Sequence, residues 1–239
     1  MTFTILFTLL AAVGPASAND VVPVYLSKAA GISSLSEATS ALARALPDTW
    51  EVKVNDGKKR QVKTCRDFLD VIHLRFELDN PVDWPVWWQQ GALCFALSAL
   101  EKAKPASRSY LGWFRISKQG IGKLPPGLAM LDSPDDEDEA AAAAKGCRGW
   151  RQFDPSLSVR AKGSDEASLR SDGWTGRLVL YARADIDGDG LEDLLLRRDA
   201  HATGGSAAES QVFVVTQLSA SGCAKVVRSM GAPDTRDLP

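Results

Sequence analysis

The sequence has little histidine and no excess of charge of either sign, and each scarcity excludes a class of function. Its 239 residues include two histidines, His73 and His201, and 28 lysines and arginines stand against 30 aspartates and glutamates. Neither histidine has a second histidine four residues away, so the H-E-x-x-H pattern of zinc peptidases is absent. A balanced charge also gives no reason to expect binding to nucleic acid or to an anionic membrane.

Other catalytic signatures are incomplete. Gly204-Gly205-Ser206-Ala207-Ala208 lacks the last glycine of a nucleophile elbow. Gly120-Ile121-Gly122-Lys123 lacks the remainder of a phosphate-binding loop. The sequence therefore predicts a protein that is not an enzyme. An exported hydrolase stays open as an alternative, because a carboxylate pair is recognised by its spacing in three dimensions.

Long apolar runs are missing after the N-terminus. Residues 3–13 are apolar or hydroxyl-bearing, and Ala16-Ser17-Ala18 follows as a small-x-small cleavage pattern. A membrane span needs about 20 apolar residues, so residues 1–18 are predicted to be a secretory signal peptide cleaved near Ala18. Because no lysine or arginine precedes the run, a buried N-terminal strand or helix is the alternative. The mature chain is predicted to be periplasmic, with no membrane span.

Cysteine is scarce: the chain has four cysteines, which is an even number. An even number in an exported chain favours disulfides, and the C-x-x-C pairs typical of zinc, the alternative, are absent. Helices predicted for residues 65–78 and 84–102, broken at Asn80-Pro81, fold back and bring Cys65 within one turn of Cys94. The predicted disulfides are Cys65–Cys94 and Cys147–Cys223.

The remaining patterns predict an α+β fold. Residues 19–131 are expected to be mainly helical, with a helical hairpin stapled by a disulfide. A capping box, Ser34 to Glu37, begins a helix that runs to Ala45 and stops at Pro47. Residues 50–64 predict a short β-hairpin around Asn55-Asp56-Gly57, with a simple loop as the alternative. Trp84, Trp87 and Trp88 share one helix face, which predicts core packing rather than an exposed anchor for a partner.

The sequence pattern changes after residue 131. Residues 132–146 predict a helix or linker capped by Ser133, whose first-turn carboxylates suit the positive end of the helix dipole; a metal site there is the alternative. Residues 147–239 predict a β region, an antiparallel sheet of about five or six strands. The expected strands are residues 156–161, 167–172, 177–183, 194–199, 211–217 and 224–229.

One metal-binding pattern lies between two of these strands, at residues 185–193. Carboxylates at alternate positions point inward when the backbone curls around one ion, and a glycine at the sixth position permits the sharp turn. Calcium takes six to eight oxygen ligands. An EF-hand is excluded, because its twelfth position would be Leu196, inside an apolar strand. A polar turn without metal is the alternative. The predicted calcium ligands are Asp185, Asp187, Asp189, Asp193 and the carbonyl of Leu191.

Residues 184–195 resemble the calcium loop of FG-GAP and VCBS repeats, which occur in integrin α propellers and in many exported bacterial proteins. The resemblance covers about residues 178–198 and implies a β–loop–β unit that holds calcium through the ligands just named. A propeller needs several blades, and one copy does not predict one. The role expected for the ion is structural.

The layout as a whole resembles small periplasmic proteins that proteobacteria encode beside secreted cell-wall-degrading toxins. This resemblance implies an immunity or inhibitor protein whose partner is a toxin or a lysozyme-type peptidoglycan hydrolase. A calcium-stabilised envelope or adhesion module that binds glycan or protein is the alternative. The predicted contact is the polar, glycine-rich segment 199–210, although an idle solvent loop is an equal alternative. Its candidate residues are His201, Thr203, Gly204, Gly205 and Ser206.

Overall fold

The computed structural model describes residues 21–80, 83–131, 133–205 and 207–231. The predicted signal peptide lies outside the described residues. The helices are α1 (Leu35–Leu42), α2 (Cys65–Val71), α3 (Trp84–Lys102), α4 (Lys118–Gly122), α5 (Pro134–Lys145) and α6 (Trp150–Phe153). The strands are β1 (Tyr25–Leu26), β2 (Ala45–Val54), β3 (Lys59–Thr64), β4 (Phe76–Leu78), β5 (Ser158–Ala161), β6 (Glu166–Ser171), β7 (Trp174–Ala184), β8 (Asp193–Ala202), β9 (Ala208–Gln217) and β10 (Ala224–Met230).

The C-terminal half forms an antiparallel sheet of six strands, as predicted. Its strands lie in the order β10-β9-β8-β7-β6-β5, so each strand pairs with its neighbour in sequence. β6 pairs with β7 only as far as Val179, and β1 pairs with β7 further along, at Ala182 and Arg183. A short N-terminal strand therefore completes the edge that β6 leaves open.

Both faces of this sheet are covered, which explains why β8 is apolar at successive positions. Leu195 belongs to the core shared with the N-terminal helices, whereas Leu194 and Leu196 belong to the core on the opposite face. A strand buried on both faces has no polar side, so the usual alternation disappears. Residues 111–131 and 150–157 cover that opposite face, where the rings of Trp150 and Trp174 stack 6.2 Å apart.

The N-terminal half packs α1, α2, α3 and a small sheet, in the order β3-β2-β4, against the other face. Trp87 is fully buried in this N-terminal core. The centroid of its ring lies 5.2 Å from that of Trp50, 4.7 Å from that of Phe68 and 5.2 Å from that of Phe76. Trp88 is also buried, and Trp84 is half-buried. The tryptophan stripe is therefore a packing face.

Two predicted helices are too long. α1 ends at Leu42, and Pro47 lies within β2, where the pairing with β3 is interrupted between Ala45 and Trp50, so the missing proline N–H removes no ladder bond. The helix predicted for residues 65–78 ends at Val71. The chain then turns and forms β4, in which Leu78 pairs with Val52 of β2. Pairing with a strand distant in sequence overrides the local helical pattern here.

The predicted helix that begins near residue 132 is present as α5. The Ser133 hydroxyl accepts a hydrogen bond from the Asp136 amide at 3.2 Å, and Asp135, Asp136 and Glu137 fill the first turn. These carboxylates compensate the exposed N–H groups of the helix start. Among the described residues they are not part of any cluster whose geometry suits a metal ion.

The two predicted disulfides are the two that the structure contains. Cys65–Cys94 joins the start of α2 to the middle of α3 and is buried, while Cys147–Cys223 joins the segment after α5 to the turn before β10. Two disulfides favour an extracellular or other oxidising compartment. No helix in the described part of the chain is long and apolar enough to cross a membrane.

Removing the buried disulfide should be costly. The double variant Cys65→Ala/Cys94→Ala is expected to lose about 2–4 kcal/mol of unfolding free energy, because the bridge restricts the unfolded chain across 29 residues. Urea unfolding of the oxidised parent and the variant measures the difference. Peptide mapping without reduction is the control for connectivity, and a Cys65–Cys147 peptide would contradict the fold described here.

Candidate metal centre

The predicted calcium loop connects the two central strands of the large sheet. β7 ends at Ala184, β8 begins at Asp193, and these two residues pair with each other. Gly188 and Gly190 have φ angles of 89° and 83°, which other residues rarely adopt. The loop therefore reverses the chain tightly, and both glycines are required by its backbone.

Three of the four predicted aspartate ligands come together. Asp185, Asp187 and Asp193 each offer a carboxylate oxygen, and these oxygens all lie within 4.8 Å of one another. Asp185 and Asp193 are buried, whereas Asp187 is exposed. Asp189 lies outside this group, and its Oδ1 accepts a hydrogen bond from the Leu191 amide at 2.8 Å. The centre is thus open to solvent on the side of Asp187.

Main-chain amides of the loop hold the carboxylates in place. Gly188 and Gly190 donate to the two oxygens of Asp185 at 2.8 and 3.1 Å. The Asp189 amide donates to Asp187 Oδ1 at 3.1 Å, and the Ile186 amide donates to Asp193 Oδ2 at 2.9 Å. The loop is folded around its own acidic groups, which brings like charges close together.

Asp193 is the most deeply buried carboxylate of the three. It is fully buried, and its Oδ1 has no hydrogen-bond partner of normal geometry in the described part of the chain. Buried polar atoms nearly always have a partner. The Thr216 hydroxyl lies near enough to influence the carboxylate, although it too lacks such a partner. A bound cation would satisfy the unpaired oxygen.

Burial also changes the acidity of the cluster. Burial raises the pKa of Asp193 to about 6, against the opposing effect of the Ile186 amide and the Thr216 hydroxyl. Burial likewise raises the pKa of Asp187, and the neighbouring Asp189 and Asp185 carboxylates add to the rise against the opposing Asp189 amide. The atoms that could bind a metal here are all carboxylate oxygens, which suit a hard cation better than zinc.

Sequence reasoning missed a segment that braces this loop from outside. Lys104 and Asp185 exchange two main-chain hydrogen bonds of 2.8 and 2.9 Å. The Ser107 amide and hydroxyl both donate to the Gly190 carbonyl at 2.8 Å, and the Glu192 amide donates to the Arg108 carbonyl at 2.8 Å. Residues 104–108 run along the loop at a sequence distance that no local pattern could reveal.

Glu192, the one acidic residue of the loop outside the predicted ligands, has another role. It is buried and forms an ion pair of 2.6 Å with Arg183, and the Ser109 hydroxyl donates to the same oxygen at 2.6 Å. Arg183 also donates to the Leu111 carbonyl at 3.0 Å. This ion pair ties the loop to residues 109–111 and leaves Glu192 fully engaged.

The predicted partner-binding segment is mostly strand. β8 continues to Ala202 and β9 begins at Ala208, so His201 lies on β8, where it pairs with Ala208 and Thr175. Asp199 and Ser210, the predicted ends of the loop, are buried inside the sheet. The prediction of a long loop over residues 199–210 was therefore wrong, because strand pairing shortens it to a tip. Of the candidate contact residues, Thr203, Gly204 and Gly205 are exposed at that tip, and Ser206 lies outside the described residues.

No protein family model, no curated protein and no solved structure matches this chain. The geometry of the chain itself therefore has to support any function proposed for it.

Calcium affinity should depend on pH through Asp193. A carboxylate must be ionised to bind the metal, so protons compete with calcium as the pH falls through the pKa of about 6. Affinity is expected to weaken about tenfold between pH 7 and pH 5 from this group alone. Calorimetric titrations at both pH values measure it, and an unchanged affinity would show that Asp193 is not a ligand.

Proposed function

We propose that this chain is an exported calcium-binding protein and that residues 185–193 hold the ion. The observation that carries the proposal is the buried, unpaired Oδ1 of Asp193 beside the oxygens of Asp185 and Asp187. Three buried or crowded carboxylates repel one another and raise the free energy of the folded state. A calcium ion reverses the sign of that interaction. Asp189 and the Leu191 carbonyl would complete the shell after a small adjustment.

The role we propose for the ion is structural. The loop joins the two central strands of the sheet, and residues 104–108 attach it to the segment that covers the opposite face. An ion at this point would stabilise the β7–β8 connection and the brace together. Such an ion increases the stability of the folded state by mass action and needs no catalytic group beside it.

We further propose that the protein binds and blocks a peptidoglycan hydrolase of the lysozyme type, as a periplasmic immunity or inhibitor protein. An inhibitor needs an ordered element that contacts the hydrolase, and we assign this role to the tip of the β8–β9 hairpin. Its base is fixed by Asp199, which accepts from Arg177 at 2.6 Å, Arg197 at 2.8 Å and the Ser210 hydroxyl at 2.6 Å. Burial alone would raise the pKa of Asp199, but Arg197 and these hydrogen bonds hold it below its usual value.

The tip of that hairpin is the proposed contact. Thr203, Gly204 and Gly205 are exposed, His201 is exposed on the adjoining strand, and the Thr203 amide donates to the Gly173 carbonyl at 2.8 Å. The tip is thus supported by the neighbouring β6–β7 turn. A short supported tip loses less conformational entropy on binding than a long free loop.

Inhibition assays test this proposal. The mature chain should inhibit a lysozyme-type hydrolase at a near-stoichiometric ratio, and His201→Ala/Thr203→Ala should weaken inhibition at least about tenfold by removing side chains from the contact. The matched control is Asp56→Ala/Lys58→Ala, at the exposed turn of the β2–β3 hairpin. An equal loss in both double variants, or no binding to any hydrolase, would contradict the proposal and favour an adhesion module.

A further inference from the structure

A second concave site lies apart from the carboxylate cluster and plays no part in the proposed function. It is a pocket of about 650 Å³ between α4, α6 and the turn that joins β9 to β10. The disulfide Cys147–Cys223 forms part of its wall. A pocket of this volume is in the range that accepts small molecules.

The charge of the pocket lining is one-sided. Four cations line it, and none of the aspartates and glutamates that the structure describes does so. The cations are Lys118, Lys123, Arg148 and Arg151. None of these four cations forms an ion pair with any of the described residues. The whole chain carries a net charge of −2, so the pocket is a local concentration of positive charge on a slightly acidic protein.

Several contacts hold this lining in shape. The Trp113 indole N–H donates to Gln217 Oε1 at 2.7 Å, and the Lys123 ammonium lies 5.8 Å from the centre of the Trp113 ring. Arg148 Nη2 donates to the Gln152 carbonyl at 2.8 Å. These contacts give Lys123 and Arg148 a partner within the protein, while all four cations are exposed to solvent and accessible to a ligand.

Four cations that line one cavity create a positive potential there, which attracts an anion and is screened by salt. Guanidinium and ammonium groups bind phosphate and carboxylate oxygens with short, charge-assisted hydrogen bonds. Gln119, Gln152 and Ser221 also line the pocket and add neutral hydrogen-bonding groups suited to hydroxyls. We propose that this pocket binds a small ligand carrying two or more phosphate or carboxylate groups, such as a phosphorylated or acidic sugar.

Calorimetry with three defined probes tests the proposal. Glucose 1,6-bisphosphate represents the phosphate source, digalacturonate represents the carboxylate source, and cellobiose is the neutral control. At low salt at least one anionic probe should bind with one site per chain, more weakly as salt is added, and the stronger of the two identifies the source. Absence of binding by both anionic probes, or equal binding of cellobiose, would overturn the proposal.

Variants locate the binding. Lys123→Ala/Arg151→Ala should weaken binding of the anionic probe at least about tenfold, because two charge-assisted contacts are lost. The matched control Arg60→Ala/Lys63→Ala removes the same charge from two exposed positions of β3 and should change affinity less than twofold. Lys118→Gln, at an exposed position, provides a single variant should the double one fail to fold. An equal loss in the pocket and control variants would show attraction to net charge only and would overturn the site.

Discussion

Asp193→Asn is expected to abolish calcium-dependent stabilisation and, at pH 7.5, to make the metal-free protein more stable than its parent. In the parent, calcium at about 100 times its dissociation constant should add about 2.7 kcal/mol to the unfolding free energy. The variant keeps the shape of Asp193 and an oxygen for the Ile186 amide. It removes the buried negative charge that the metal would neutralise. Thermal unfolding with calcium and with chelator measures both effects.

The sign of the metal-free effect follows from the pKa of Asp193. An aspartate in the unfolded chain titrates near 3.8, and the folded group titrates near 6, because burial disfavours its charged form. The ionised carboxylate therefore destabilises the folded state above pH 6, by about 1–3 kcal/mol. This destabilisation fades as the pH falls from 6 towards 4. The metal-free parent should thus gain stability from pH 7 to pH 5, and Asp193→Asn should not show that gain.

Asp172→Asn is the matched control for this pair of effects. Asp172 is exposed in the turn between β6 and β7, away from the carboxylate cluster. Its variant should retain the full calcium effect and the stability of the parent. Loss of metal-free stability in Asp193→Asn, comparable in size to the calcium effect, would mean that the carboxylate is a structural acceptor and not a ligand.

Trp87→Ala is expected to cost about 3–5 kcal/mol of unfolding free energy, the largest loss that a single substitution in the N-terminal half should produce. The ring is fully buried and touches Trp50, Phe68 and Phe76, so its removal opens a cavity that those rings cannot refill. Urea denaturation, followed by far-UV circular dichroism, measures the loss.

Trp84→Ala is the matched control, because Trp84 lies one turn earlier on the same helix but is only half-buried. Trp84→Ala should lose clearly less unfolding free energy than Trp87→Ala, since part of the Trp84 ring already contacts water. The comparison decides between a packing face and an exposed binding anchor. Equal and small losses for both variants would contradict the buried aromatic cluster.

The sequence predicted those parts of the fold that local physics determines. Ser133 caps α5, because a hydroxyl before a proline and a run of carboxylates is a start signal that needs no distant contact. The six strands of the C-terminal sheet follow from short β-rich runs separated by turn residues. The meeting of Asp185, Asp187 and Asp193 could be predicted for the same reason, since alternating aspartates and two glycines lie within a single loop.

Features that depend on distant contacts could not be predicted. β4 exists because Phe76 and Leu78 reach the small sheet beside β2, and β1 exists because β6 leaves part of β7 unpaired. No local sequence pattern indicates either strand pairing. The brace formed by residues 104–108 and the pocket lined by residues from 113–125, 144–152 and 217–224 also depend on contacts between distant parts of the sequence.

The pairing of Cys65 with Cys94 was predicted correctly, although the first helix of the predicted hairpin ends at Val71 and not at residue 78. The bridge needs only that the start of α2 lie beside the middle of α3. A turn and β4 return the chain to that position as well as a longer helix would. The prediction survived because the disulfide depends on the two ends of the segment and not on its middle.

Calcium titration of the metal-free protein by isothermal calorimetry tests the central claim most directly. One calcium ion per chain should bind at pH 7.5, with a dissociation constant of about 10⁻⁷ to 10⁻³ M, the range of sensor and extracellular calcium sites. Magnesium should compete poorly, and Asp193→Asn should show no binding heat. A parent protein that shows no calcium binding heat and no thermal shift with calcium, under the same conditions, would contradict the account.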